Sequence, residues 1–183
     1  MAIIIIIAVI ILIGGFFISI YNKLVRLRNL MQEGWSGIDV QLKKRYDLVP
    51  NLINTVKGYA THEKEVFENV AAMRSVGINA KTVKEQEQAE NQITQALGRL
   101  FAVAENYPDL KANTNFIGLQ TELGQVENDI QMARRYYNGT VRENNILVES
   151  FPSNLVAGTF AFHKGEYFEL DNEQERVAPK VQF

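Results

Sequence analysis

The distribution of apolar residues changes character once along this chain. From Ile3 to Ile20 it is continuous: no charged residue interrupts the run, and Ile, Val, Leu and Phe fill almost every position. A helix crossing the hydrocarbon core of a bilayer needs about 17–25 such residues, each rising 1.5 Å. The run meets that minimum, which predicts a membrane-spanning anchor over residues 1–22, carried by Ile3, Ile7, Ile11, Phe16 and Ile20. A cleaved secretory signal would need basic residues before the run and a small-x-small site after it. Met1-Ala2 has no Lys or Arg, and Ser19-Ile20-Tyr21-Asn22-Lys23 has no Ala-x-Ala pattern, so a retained span is expected.

Beyond the span the pattern becomes periodic. Leu24, Leu27, Met31, Trp35, Ile38, Leu42, Tyr46 and Val49 are spaced by threes and fours, which puts them on one stripe of a helix over residues 23–48. No proline or loop cluster separates this helix from the span, so the two are expected to form one rod. Gly34 and Gly37 flank Trp35 and each costs up to about 1 kcal/mol relative to Ala, which points to close approach of a neighbouring helix. Pro50 predicts a break, with a second helix over 51–76 carrying Leu52, Val56, Tyr59, Val66, Val70 and Met73, ended by Gly77-Ile78-Asn79. Thr82 and Glu85 form a capping-box pattern that opens a third helix over 82–106, with Ile93, Leu97, Leu100 and Val103 inward. A fourth helix over 110–150 carries the most regular seam: Phe116, Leu119, Leu123, Val126, Ile130, Ala133, Tyr137, Thr140, Asn144, Leu147 and Phe151. Its polar last third either fixes register or partner at some cost in stability, or lies near solvent at a fraying end.

Helices joined by short turns favour antiparallel neighbours. The predicted fold class is therefore all-α: a single N-terminal transmembrane helix continuous with an antiparallel, elongated four-helix bundle over residues 23–152, one domain, followed by a short irregular C-terminal tail over 153–183. In an up-down-up-down order the tail begins on the membrane side. Its apolar part, Leu155 to Phe162 and then Tyr167-Phe168, lacks the basic face typical of interfacial segments and is expected to pack on protein; the charged stretch from Asp171 is expected to be mobile.

Charge sets the orientation. Lys23, Arg26 and Arg28 crowd the carboxyl end of the span, with Tyr21 as an interfacial aromatic, and basic residues stay on the cytoplasmic side. A single-pass protein of a bacterial inner membrane, N-terminus outside and helical domain in the cytoplasm, is the expectation. The net charge of −2 provides no basic field for nucleic acid, and the absence of cysteine excludes a lipidated thiol anchor while remaining compatible with a reducing compartment.

Residues that could carry chemistry are sparse. His62 and His163 are the only histidines, and Tyr59 and Phe160 stand where a di-iron Glu-x-x-His motif would place glutamate. His62-Glu63 begins like a zinc-protease motif, but Val66 occupies the second histidine's place. Gly34-Trp35-Ser36-Gly37 resembles a nucleophile elbow with Ile38 in place of the last glycine and a helical context. No catalytic residue, metal or cofactor is expected. Glu105, Glu122, Glu127, Arg134 and Arg135 are expected on a solvated face or in pairs between helices. The densest polar cluster, Asp39, Arg45 and Asp47 beside Tyr46, together with Trp35, is a candidate recognition or inter-subunit surface.

The run Trp35-Ser36-Gly37-Ile38-Asp39-Val40-Gln41-Leu42-Lys43-Lys44-Arg45-Tyr46-Asp47-Leu48-Val49-Pro50-Asn51-Leu52 resembles the signature of the LemA family of bacterial membrane proteins. The blocks Leu100 to Asn113, Ala133-Arg134-Arg135-Tyr136-Tyr137-Asn138 and Phe151-Pro152-Ser153-Asn154 are similar to that family in the same order. The resemblance implies one amino-terminal membrane helix and an antiparallel bundle, with no known catalytic residues to carry across. It also implies roles seen among relatives, some magnetosome-associated and linked to organising a membrane, others encoded beside a membrane metalloprotease. The poly-isoleucine anchor and the Gly77 to Thr82 turn depart from the family pattern.

Together these observations point to a non-enzymatic, membrane-anchored scaffold that self-associates and organises or shapes the bilayer, with Ala8, Gly15 and Ser19 as a sparse small-residue stripe for helix approach in lipid. The alternative is a cytoplasmic adaptor that docks a membrane protease or signalling protein through the Asp39 to Asn51 region. The charge asymmetry predicts that protease added to intact cells leaves an epitope at Phe183 uncut; cleavage would place the domain outside.

Overall fold

The computed structural model describes residues 1–169. Among them the chain is helical, in the order α1 Ala2–Lys57, α2 Lys64–Asn79, α3 Val83–Glu105, α4 Pro108–Lys111, α5 Thr114–Glu149 and α6 Ser153–Thr159. The stretch from Asp171 lies outside the described residues. The chain packs as two compact units: Met1–Asp39 with Gln131–Tyr167, and Val40–Ile130 with the segment beginning at Phe168.

In the first unit, the apolar part of α1 is exposed as far as Ser19, as a helix surrounded by lipid would be. Burial begins at Leu24, which packs with Val156, Ala157 and Phe162, backed by Ile20, Val25, Leu147 and Val148. The second half of α5 lies along α1. Gly34 permits the approach: a Cβ there would stand 3.1 Å from the Tyr137 Cα and 3.2 Å from the Tyr136 ring. Gly37 faces open space, so only one of the two predicted glycine contacts exists. The Trp35 and Tyr137 rings meet edge to face at 5.5 Å. Thr140 and Asn144 are buried, so the polar part of the seam is not a fraying end near solvent. The seam ends before Phe151, which is 80% exposed.

The tail is strapped to α5 by that polar third. Tyr137 donates its hydroxyl proton to the Glu166 carbonyl at 2.9 Å. Asn144 donates to the His163 carbonyl at 3.0 Å. Asn145 donates to the Gly165 carbonyl at 3.0 Å and accepts from its N–H at 2.8 Å. Backbone groups outside regular structure must find partners, and here side chains supply them. Ala161, at φ 54°, closes α6 in the left-handed region where glycine is usual, letting the Phe162 N–H reach the Ala157 carbonyl.

The second unit is a bundle of α1 from Val40 onward, α2, α3 and α5 up to Ile130. Tyr46 lies beside Gly77 and Lys57 beside Phe67, so α2 runs antiparallel to α1. Tyr59 meets Asn113 and Arg45 meets Glu127, so α5 is antiparallel to α1 as well. Leu42, Val49, Leu52, Val56, Val70, Ile93, Leu97, Leu100, Phe116 and Leu123 are buried between them, each contributing on the order of 1.5–3 kcal/mol. The capping box at Thr82 and Glu85 is formed, and the N–H groups of Lys81 and Thr82 hold the exposed Glu85 carboxyl below its usual range. Asn113 caps α5 by accepting from the Phe116 N–H at 3.0 Å, which splits the predicted fourth helix into α4 and α5.

The predicted break at Pro50 is not where α1 ends. The helix continues to Lys57, with Pro50 inside it, and α2 starts at Lys64. Proline in a helix interior removes the bond to the carbonyl four residues earlier. That carbonyl belongs to Tyr46, and it accepts instead from Arg74 Nε on α2 at 2.7 Å. The orphaned acceptor is thereby satisfied by tertiary structure, which the sequence around Pro50 does not reveal. α2 likewise runs through Gly77 to Asn79; Gly77 is there for contact, since a Cβ would collide with the Tyr46 ring.

Arg74→Ala is expected to destabilise the full chain by about 1–3 kcal/mol, the cost of a buried acceptor left unpaired. Pro50→Ala, which restores a local donor, should recover part of that loss in the double variant and little alone, as read by thermal or denaturant unfolding in micelles.

Candidate functional site

Arg45 and Tyr46 point into the second unit, 2% and 6% exposed, so neither belongs to the recognition surface predicted for them. Asp39 and Asp47 are exposed, Asp47 in an i,i+4 pair with Lys43 at 2.8 Å, and Trp35 is half-buried against Tyr137 in the first unit. The five residues therefore do not form one surface. Tyr46 and Val49 share the inward stripe of α1, and Arg45, one residue before Tyr46, falls on its edge, where the cores of α3 and α5 enclose it.

Arg45 spans three helices. Its Nη1 donates to Glu90 Oε2 on α3 at 2.5 Å, and its Nη2 donates to Thr94 Oγ1 at 2.8 Å. The same nitrogen pairs with Glu127 Oε1 on α5 at 2.9 Å. Arg45 and Glu90 are both buried, so the pair holds its charges out of water, where attraction must offset a desolvation cost of several kcal/mol per ion. Tyr46 donates its hydroxyl proton to Glu90 Oε1. Gln86 donates to the Tyr46 oxygen at 2.7 Å and to Glu90 Oε1 at 3.2 Å.

The electrostatics follow from burial. Desolvation, then the Glu90 charge and the hydrogen bond to it, push the Tyr46 phenol well above the ordinary tyrosine value. It is a neutral donor at any physiological pH. Glu127, half-buried at the rim, is raised by burial, with Arg45 pulling it down and Glu90 pushing it up. In the first unit Tyr137 is raised by burial and the Glu166 charge. In this cluster the carboxylates and the phenol are engaged with one another, and the arrangement can fix helix register. An open groove of about 720 Å³ lies between α2 and α3, lined by Ala72, Val76, Asn79, Lys81, Ala89 and Gln92. Among the described residues no group of three or more His, Asp or Glu is arranged to hold a metal.

The anchor residues Ile3, Ile7, Ile11 and Phe16 are exposed and Ile20 is half-buried at the start of the first unit's core. In the collar, Lys23, Arg26 and Arg28 are exposed, and Arg28 lies over the Phe162 ring at 5.4 Å. Tyr21 meets Phe160 at 4.8 Å and Phe162 at 5.7 Å. Sequence reasoning placed Glu127 in an inter-helix pair or on a solvated face, and it pairs. Gln86, Glu90 and Arg74 were missed. Gln86 and Glu90 continue the spacing of Ile93, Leu97 and Leu100 toward the helix start, so extending the α3 stripe through polar residues would have found them.

The sequence profile of the LemA family matches residues 34–183. The chain is 29% identical over 168 residues to Protein LemA of Metamycoplasma hominis, covering 89% of this chain and 76% of that one. It is 26% identical over 175 residues to Magnetosome protein MamQ 2 of Paramagnetospirillum magneticum, covering 81% of this chain and 64% of that protein. Magnetosome protein MamQ of Magnetospirillum gryphiswaldense is 23% identical, and this chain again spans 64% of its length.

The Tyr46 shift has a sign. Above pH of about 10 the unfolded chain releases this proton while the folded chain keeps it, so stability falls as pH rises through that window, by up to about 1.4 kcal/mol per unit. Tyr46→Phe is expected to lose this component: plotted against pH from 9 to 11, its unfolding free energy should decline less steeply than that of the parent chain.

Proposed function

The chain belongs to the LemA family, and on that premise we propose that it is a non-enzymatic scaffold, anchored in a bacterial inner membrane, that self-associates and organises the bilayer around it. The observation that carries this reading is the continuity of α1: one helix leaves the lipid-compatible stretch and supplies a wall of the packing in both units without an intervening loop. The buried polar cluster supports it, because Arg45, Tyr46, Gln86 and Glu90 are engaged with each other and so serve packing. The names of the magnetosome relatives support a place at a membrane-bounded compartment for this family's fold, and none of the names denotes a reaction.

In this reading the N-terminus is outside and the helical units are cytoplasmic, held by the basic collar. Confinement to the plane of the membrane raises the effective concentration of copies, so weak lateral contacts suffice. Ala8, Gly15 and Ser19 supply the close approach; Gly15 has open space around it in the single chain, where a neighbouring helix can lie. An adaptor role for a membrane protease would have to work without Arg45 and Tyr46, which are inside, and would rest on Asp39, Lys43, Lys44 and Asp47.

Full-length protein in lipid nanodiscs or mild detergent is expected to give a discrete mass above that of one chain, and Gly15→Leu to lower it. A single-chain mass at every concentration would overturn self-association, and capture of one stoichiometric membrane partner would favour the adaptor.

A further inference from the structure

From Phe151 to Phe162 the chain has no charged residue. α6 turns Val156 and Ala157 inward, where with Phe162 they complete the core around Leu24. Yet three large apolar side chains of the segment are exposed, beside the polar Asn154 and Thr159: Phe151 is 80%, Leu155 52% and Phe160 57% exposed. Leu155 lies on α6, and Phe151 and Phe160 flank that helix at its two ends. Large apolar side chains left exposed in one uncharged segment mark a contact surface.

The level of this face along α1 indicates what covers it. Ile20, the last residue of the uncharged run, packs against the core that holds α6. Tyr21, the next residue, has its ring 4.8 Å from Phe160. A bilayer that accepts Ile3 to Ile20 as its span therefore has its headgroup boundary at the level of Phe160. At that boundary aromatic residues are favoured, and basic residues meet anionic headgroups. Lys23 and Arg26 are exposed there, one turn further along α1, and Arg28 covers Phe162. The basic component that α6 lacks in its own sequence is thus supplied by α1.

We infer that α6 is a second membrane contact, in which Phe151, Leu155 and Phe160 sit in the boundary between headgroups and acyl chains of the leaflet that α1 leaves, with Lys23 and Arg26 on the lipid phosphates. The occupant is lipid, continuous with the lipid around the span. The inference rests on insertion of the α1 span, which the test reads separately.

The chain has no cysteine, so single nitroxide labels can be placed without background. Full-length Phe151→Cys, Leu155→Cys and Phe160→Cys, reconstituted in phosphatidylcholine–phosphatidylglycerol vesicles, are compared by power saturation with Ile10→Cys within the span and Gln32→Cys, exposed and beyond the collar. All five positions are exposed, so the labels do not disturb the core. The three α6 labels are expected to collide with oxygen more, and with a water-soluble nickel chelate less, than the Gln32 label. Values equal to Gln32 would overturn the inference in favour of water. Immobile labels shielded from both reagents would overturn it in favour of a protein partner, such as a second copy. An aqueous Ile10 label would overturn the anchor, and this inference with it; a lipid-exposed Ile10 beside aqueous α6 labels would overturn this inference alone.

Discussion

A proline inside a helix leaves one carbonyl without a donor, and the second unit is built around the answer to that requirement. The Tyr46 carbonyl takes its hydrogen bond from Arg74, which fixes α2 against α1 at that point. The side chain of the same residue reaches Glu90 and Gln86 on α3, and its ring occupies the space that Gly77 leaves open. Arg45, one position earlier, adds α5 through Glu127. Two adjacent residues thus specify the register of three helices on the fourth. Such polar specification is directional where hydrophobic burial is not, because a buried charge displaced by one turn loses its partner.

Much of this was legible in the sequence. The change from a continuous to a periodic apolar pattern separates the span from the bundle, and the stripe from Leu24 to Val49 is buried or half-buried throughout. The capping box at Thr82 is local chemistry and was readable for that reason. What escaped was non-local. Pro50 has a strong local meaning, and only a donor from another helix overrides it. Arg45 and Glu90 are charged, so a pattern of apolar positions assigns them outward, although their spacing places them inside. Asn113 was hidden within a run of helix-compatible residues and acts as a cap because of what it accepts.

The first unit uses its polar residues for a different purpose. The last third of the α5 seam departs from apolar composition at Thr140, Asn144 and Asn145, and the two asparagines meet backbone groups of the tail. An extended segment with no sheet to join obtains from side chains what a neighbouring strand would give. Its path then delivers Phe162 to the core around Leu24.

The continuity of α1 has a rotational consequence. A helix without a joint transmits azimuth as well as position: each residue turns the chain by about 100°, so the side of the span that faces a given neighbour in the bilayer is locked to the side of Leu24 that faces α6. The first unit has no swivel where the apolar run ends. Lengthening α1 by one residue between Ile20 and Leu24 would raise the core by only about 1.5 Å but turn it through more than a quarter of a circle. Any ordered array of such molecules would inherit its geometry from that phase, and evolutionary change in the collar would be constrained more by residue number than by residue type.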